Sequence, residues 1–185
     1  LYNIFMGLIM LNQIPKIDYN SLSNESHNNY QIEQKKLKEA VTDYGFLIIK
    51  NYPINFQKIN NVFALYRDFF KQDLDEKNKV NMSKTSSNRG WGGIKAEQVN
   101  ADFNPDNKEI FDCGPNIEVN HQFQDLPYYK KNIWPDGIPS FENKIMEFYK
   151  SCSEISLSIL KQIEISLNYS SNFFANKFEL PMALL

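Results

Sequence analysis

Between Tyr44 and Ile54 the chain reads Tyr-Gly-Phe-Leu-Ile-Ile-Lys-Asn-Tyr-Pro-Ile. Four consecutive large apolar residues, Phe46, Leu47, Ile48 and Ile49, follow a glycine and precede an Asn/Pro turn. That pattern predicts a short strand buried on both faces. Such a strand needs cover, and the flanking sequence supplies it locally. An amphipathic helix runs into Gly45 and another begins near Asn55, so the expected unit is helix–strand–helix.

The segments around this unit extend the reading. Ile14-Pro15-Lys16-Ile17-Asp18 predicts an edge strand, because Pro15 has no N–H to give to a ladder. Ser21 to Asn29 is a polar loop. From Tyr30 to Tyr44, Ile32, Leu37, Ala40, Val41 and Tyr44 recur at helical spacing, with Lys35, Lys36, Lys38 and Glu39 on the wet side. Gly45 ends that helix. Asn55 caps a second helix with the stripe Phe56, Ile59, Val62, Phe63, Tyr66 and Phe70. Asp73-Leu74-Asp75-Glu76 resembles a capping box opening a short third helix that carries Lys77 and Lys79.

Ser83 to Gly93 reads as a loop, in which Arg89-Gly90-Trp91-Gly92-Gly93 displays a cation beside an indole. Asn104 to Asn107 is a turn, Glu109 to Cys113 a strand ending at Gly114-Pro115, and Asn116 to Gly137 irregular. Ser140 then caps the longest helix, to about Leu167, with Asn168 in the left-handed closing position. Its stripe is Phe141, Ile145, Phe148, Cys152, Ile155, Ile159, Ile163 and Leu167, spaced by three or four residues.

Composition narrows the function classes. With 42% apolar and 23% charged residues, 14 Phe and 10 Tyr, the 185 residues suit one packed domain or part of a larger one. A net charge of −2 gives no general attraction to nucleic acid or to an anionic membrane. Cys113 and Cys152 stand in no metal-ligand spacing, which argues against zinc and against a disulfide and for a reduced, cytoplasmic setting. The apolar opening, Leu1 to Leu11, lacks a basic flank and a cleavage site and is too short to span a bilayer. Residues 1–13 are therefore expected to be an extension.

No complete catalytic set is visible. His27 and His121 read as plain loop residues, since an iron site of two histidines and one carboxylate needs a His and an acid two apart with a distant second His. Gly90-Trp91-Gly92-Gly93 lacks the Lys-Ser/Thr of a phosphate loop, and no nucleophile elbow occurs. Ser151, Ser153, Ser156 and Ser158 form the polar flank of the long helix. Arg89 remains, because a guanidinium in a glycine loop can fork onto a substrate carboxylate; its plainer reading is a surface salt bridge.

Taken in order, these segments resemble the N-terminal region of the isopenicillin N synthase-like non-haem iron oxygenases, most of which use 2-oxoglutarate. Ile14-Pro15-Lys16-Ile17-Asp18 resembles the opening Pro-x-Ile-Asp strand. Ala40 through Asn51 is similar to the Ala…Gly-Phe-Phe-x-x-x-Asn-His-Gly segment, and Phe69-Phe70-Lys71 with Asp75-Glu76-Lys77 to Phe-Phe-x-Leu-Pro-x-Glu-x-Lys. Arg89-Gly90-Trp91 stands where the family has Arg-Gly-Tyr. Lys108 to Gly114 resembles Lys-Glu-x-Phe-Asp-x-Gly. Asn132-Ile133-Trp134-Pro135 with Pro139-Ser140-Phe141 resembles Asn-x-Trp-Pro…Pro-x-Phe. The departures are Asn51-Tyr52-Pro53 for Asn-His-Gly, Trp91 for Tyr, and Asn168 at a usual glycine.

The resemblance implies an α+β chain comprising the N-terminal helices and strands of a double-stranded β-helix (jelly-roll) oxygenase, with most of the jelly-roll core absent. Residues 14–178 would form the non-haem dioxygenase N-terminal region and 179–185 the start of the oxygenase core. It implies Fe(II) and 2-oxoglutarate as cofactors. The His-x-Asp, distal His and Arg-x-Ser that hold them in the family lie beyond Leu185, leaving no catalytic or metal-ligating residue here. Arg89 and Trp91 are the expected substrate-binding residues. The implied partners are the small-molecule substrate and a separate C-terminal half chain complementing this one, with neither nucleic acid nor membrane. The chain alone is expected to be inactive. The rival reading is a non-catalytic remnant or interaction module from a split or decayed gene, binding another polypeptide at an exposed sheet edge.

A strand such as Phe46–Ile49 separated from the rest of its sheet leaves an open edge and uncovered apolar surface. The chain by itself is therefore expected to be poorly stable or to associate. Light scattering across a thermal melt checks this, and a sharp two-state transition from a soluble monomer is the contrary result.

Overall fold

A computed structural model describes residues 14–97, 104–118 and 120–185, so the first thirteen residues lie outside it. The described residues contain β1 (Lys16–Asp18), α1 (Tyr19–Leu22), α2 (Tyr30–Glu39), β2 (Ile48–Lys50), α3 (Phe56–Phe70), α4 (Leu74–Lys79), β3 (Gly90–Gly92), β4 (Ile110–Asp112) and α5 (Phe141–Ser166). Short 3₁₀ turns stand at Met82–Lys84 and Pro127–Tyr129. The chain divides into two compact units, one of the residues up to Ile54 with Cys152–Leu180, the other of Asn55–Ser151 with Pro181–Leu185. Neither Cys113 nor Cys152 is in a disulfide.

In the first unit β1 and β2 pair in parallel, Lys16 opposite Ile48 and Ile17 opposite Ile49. Ile17, Leu22 and Leu37 form its core, with Val41, Leu47, Ile49 and Ile163 packed against them. The expected double-faced burial of Phe46–Ile49 is not what the structure shows. Phe46 is 72% exposed and Ile48 37%, while Leu47 and Ile49, pointing the other way, reach the core. Alternation along a strand sends neighbours to opposite faces, and within this unit only one face is covered.

The helix before β2 shows a second correction. Leu37 and Ala40 are buried as expected, but Ile32 is 53% exposed while Glu33 and Gln34 are buried. Hydrogen bonds decide which face turns inward. Glu33 Oε2 accepts from the Asp18 N–H at 2.8 Å, Tyr30 donates its hydroxyl to Gln162 Oε1 at 3.0 Å, and Gln34 Nε2 donates to the same Gln162 oxygen. From Ala40 to Tyr44 the helix widens into a π turn, closed by the Gly45 N–H donating to the Ala40 carbonyl at 2.8 Å, with Gly45 left-handed.

The second unit is built on aromatic rings. Phe69 lies 4.9 Å from Phe111, ring centre to ring centre, and Phe111 lies 5.4 Å from Phe141, both edge-to-face. These rings tie α3, β4 and the start of α5 into one core with Val62, Val80, Trp91, Cys113 and Ile145. Asn55 caps α3 by accepting from the Lys58 N–H at 2.7 Å. The stripe on α3 runs through Val62 and Phe69; Phe56 and Phe63, expected inside, are 75% and 70% exposed. Helical geometry explains it, because Val62, Tyr66 and Phe69 share one face that Phe56 and Phe63 leave. Gly90–Gly92, expected as loop, is strand β3, antiparallel to β4 with Trp91 opposite Phe111. Ser140, at φ 63°, precedes α5 and Asn168, at φ 57°, follows it.

Phe69→Ala is expected to cost about 3–5 kcal/mol, and Phe63→Ala to stay within about 0.5 kcal/mol, each measured by urea unfolding. Equal losses would contradict the placement of these two rings.

Candidate functional site

Arg89 enters β3 where the backbone is forced into an unusual path. At Gly90 φ is +104°, and an added Cβ would collide with the Val80 carbonyl oxygen and the Ile133 side chain, so only glycine fits. The Trp91 N–H donates to that same Val80 carbonyl at 2.8 Å. Strand β3 is thereby held between β4 and the segment Val80-Asn81.

The structure takes Arg89 out of solvent: its relative exposure is 0%, and that of Trp91 is 3%. The guanidinium donates to Asn88 Oδ1 at 3.2 Å and, through Nη2, to the Tyr128 carbonyl. It lies against Gly114, where a Cβ would overlap the guanidinium itself. Its Nε–H has no hydrogen-bond partner, nor has the indole N–H of Trp91. No ion pair joins Arg89 to a carboxylate among the described residues. Burial lowers its pKa, yet an arginine keeps its charge through any such shift.

Around it, burial dominates the titratable groups. Asp112 is raised above the usual carboxylate range by burial, with the charge of Glu97 adding to the shift. The Cys113 thiol is pushed up to about 12, chiefly by burial, against the opposing influence of Tyr66 and Arg89. Beside this group Pro115, Asn116, Tyr129, Asn132 and Trp134 line a cavity of about 490 Å³, with Lys130, Lys131, Glu118 and Glu142 at its walls.

Two features went unread in the sequence. Lys77, nearly buried, pairs with Glu109 at 2.8 Å and sits 5.5 Å from the centre of the Trp91 ring. Asn132 places its carboxamide against the Gly114 peptide, Oδ1 accepting from the Gly114 N–H and Nδ2 donating to the Gly114 carbonyl, each at 2.9 Å. Neither has a local signal, since both partners stand far away in sequence. Each histidine is held by a hydrogen bond within its own loop. The Nδ1 of His27 accepts from the Asn29 N–H at 3.1 Å and that of His121 from the Phe123 N–H at 3.2 Å. Ser151 returns its hydroxyl to the Glu147 carbonyl.

Residues 14–137 match the family model described as "non-haem dioxygenase in morphine synthesis N-terminal". The chain belongs to this family. It carries the N-terminal region of the 2-oxoglutarate- and Fe(II)-dependent oxygenases. Among curated relatives it is 29% identical to the proline hydroxylase buaE of Petromyces alliaceus, over 88% of this chain and 50% of that protein. It is 30% identical to homoarginine-6-hydroxylase 2-ODD-C23.1 of Arabidopsis thaliana, over 77% of this chain and 43% of that one. A 2OG-Fe(II) oxygenase family protein from Caulobacter crescentus has the same fold over 88% of this chain and 51% of its own, with a TM-score of 0.73 at 21% identity. The chain thus spans about half the length of the curated relatives it matches.

Family membership implies Fe(II) and 2-oxoglutarate as cofactors. Among the described residues no three His, Cys, Asp or Glu side chains stand together as a metal site. These residues therefore do not fit the iron, and its chemistry is not assigned to them. No helix of the described residues is long and apolar enough to cross a membrane.

Cys113 makes a pH test of the site's packing. In the folded chain its thiol ionises only near pH 12, against an ordinary 9.0. Its stabilising contribution is whole below pH 9 and is lost as pH rises, because the unfolded chain gives up its proton first. Unfolding free energy should fall above that pH with a slope from this thiol of at most about 1.4 kcal/mol per pH unit. Cys113→Ala should remove that share of the slope, and identical slopes in the two proteins would contradict it.

Proposed function

We propose that this chain is the N-terminal part of a cytoplasmic Fe(II) oxygenase that oxidises a small organic substrate with dioxygen and 2-oxoglutarate. The iron ligands come from polypeptide beyond this sequence, either a continuation or a complementing half chain. The chain alone is then inactive. The relatives named as hydroxylases of proline and homoarginine support a substrate of amino-acid size that carries a carboxylate. The bound iron and 2-oxoglutarate would supply the oxidising chemistry; this chain would bind and orient the substrate.

The observation that carries the binding role is the buried cation. A guanidinium out of water without a carboxylate partner has lost solvation that no ion pair restores, and its Nε–H is open to an acceptor. A substrate carboxylate completes both. Arg89 takes that role, with Trp91 two residues on in the same stretch of chain as part of the wall.

The second reading, a non-catalytic interaction module, draws on the exposed Phe46, Phe56 and Phe63. A polypeptide carrying His-x-Asp, a distal His and Arg-x-Ser separates the two, since catalysis needs it and a binding module does not.

In the complete enzyme Arg89→Ala should raise KM at least about tenfold, the scale of one lost charge-assisted hydrogen bond. The measurement is succinate release at varied substrate, with the 185-residue chain alone releasing none. Unchanged KM and kcat would remove Arg89 from substrate binding.

A further inference from the structure

We infer that Asn132 is the positioning residue for Arg89, setting the direction of the guanidinium by splinting the Gly114 peptide on which it rests. The functional sense of this rests on Arg89 being the carboxylate-binding group proposed above.

The segment from Tyr128 to Asn132 grips the same spot at both ends. At one end the Tyr128 carbonyl accepts from Arg89 Nη2. At the other, the Asn132 carboxamide meets the Gly114 N–H and carbonyl at 2.9 Å each, a side chain imitating a strand neighbour. A second hydrogen bond from Nδ2, to Asn116 Oδ1 at 2.8 Å, uses the remaining amide hydrogen and holds the carboxamide in its plane. Between these fixed points lies the guanidinium, in the space that a side chain at position 114 would fill.

The chemistry requires a carboxamide. An amide alone presents one acceptor and two donors together, which is what the Gly114 N–H, the Gly114 carbonyl and Asn116 take up. Without it the Gly114 peptide would have its N–H and carbonyl unpaired in a half-buried place, and it would turn to find partners. The floor under Arg89 would turn with it. A guanidinium binds a carboxylate by direction as well as charge, so a tilted floor alters recognition without removing the cation.

The test uses the chain's two arginines, Arg67 exposed and Arg89 buried. Phenylglyoxal modification, read at each site by peptide mass, is compared in sodium acetate and in sodium chloride of equal ionic strength. In the native chain Arg89 should react far more slowly than Arg67, and more slowly still in acetate. Asn132→Ala should speed the modification of Arg89 at least tenfold and bring its acetate-to-chloride ratio to one. Arg67 and the amide exchange of α3 should stay unchanged. Asn132→Asp, which keeps the acceptor for the Gly114 N–H and loses the donors, should fall between. If Asn132→Ala strips protection from α3, Asn132→Asp decides by the same measure.

An unchanged rate and ratio at Arg89 in the deciding variant overturns the positioning role. A native Arg89 indifferent to acetate, together with an Asn132-dependent rate, upholds the positioning and refutes the carboxylate reading instead.

Discussion

Packing of Phe69, Phe111 and Phe141 is the constraint on which the second unit depends. The three rings come from α3, β4 and the start of α5, elements far apart in sequence; Phe111 meets Phe69 and Phe141 edge-to-face, and Phe69 and Phe141 meet each other at a tilt, 5.9 Å between centres. Edge-to-face pairing has a preferred geometry that plain apolar burial lacks. It therefore orients the elements as well as gathering them. With Phe111 held in this cluster, its strand partner Trp91 is held opposite it, and the register of β3 on β4 follows. Arg89 then starts its side chain from a backbone fixed on two sides, by β4 and by the Val80 carbonyl.

Polar groups complete what the rings begin. The ion pair of buried Lys77 with half-buried Glu109 links α4 to the entrance of β4, while the ammonium group also faces the Trp91 ring. Such a pair gives little net stability when whole, and its loss leaves one charge stranded. Its value here is directional, because it confines the indole between a cation and the strand. The Gly114–Asn132 junction does the corresponding work on the other side of Arg89.

The order of elements was legible because it depends on local chemistry. Gly45 and Asn168 mark helix ends by taking the left-handed backbone, and Asn55 by its side-chain cap, local devices that hold whatever the rest of the fold does. Asp73 precedes α4 as expected but without the side-chain hydrogen bond of a capping box. The order of the family's segments was legible for the same reason. Which face each helix buries was less so. On α2 the inward face carries Glu33 and Gln34, whose partners Asp18 and Gln162 no periodicity identifies. On α3 a stripe of six apolar positions is wider than the surface available to cover it, leaving Phe56 and Phe63 outside. Of the candidate site, the sequence named Arg89 and Trp91 but displayed them on a loop. Their burial comes from β3, whose glycines suggest a turn until the Val80 carbonyl occupies the space a side chain would need.

The π turn from Ala40 to Tyr44 sets a limit of another kind. It holds one residue more than α-helical winding would place in the same span, and Thr42 within it binds back to the Lys38 carbonyl at 2.9 Å. An α-helix rotates by about 100° per residue, and a residue inserted into regular winding would turn everything after it by that angle. The π turn takes up the extra residue within the span, so the Gly45 exit and strand β2 keep the direction that pairs β2 with β1. Deleting one residue here would restore regular winding and leave that direction in place, so a one-residue gap at this junction would signal the loss of the π turn and not a different path for the strand.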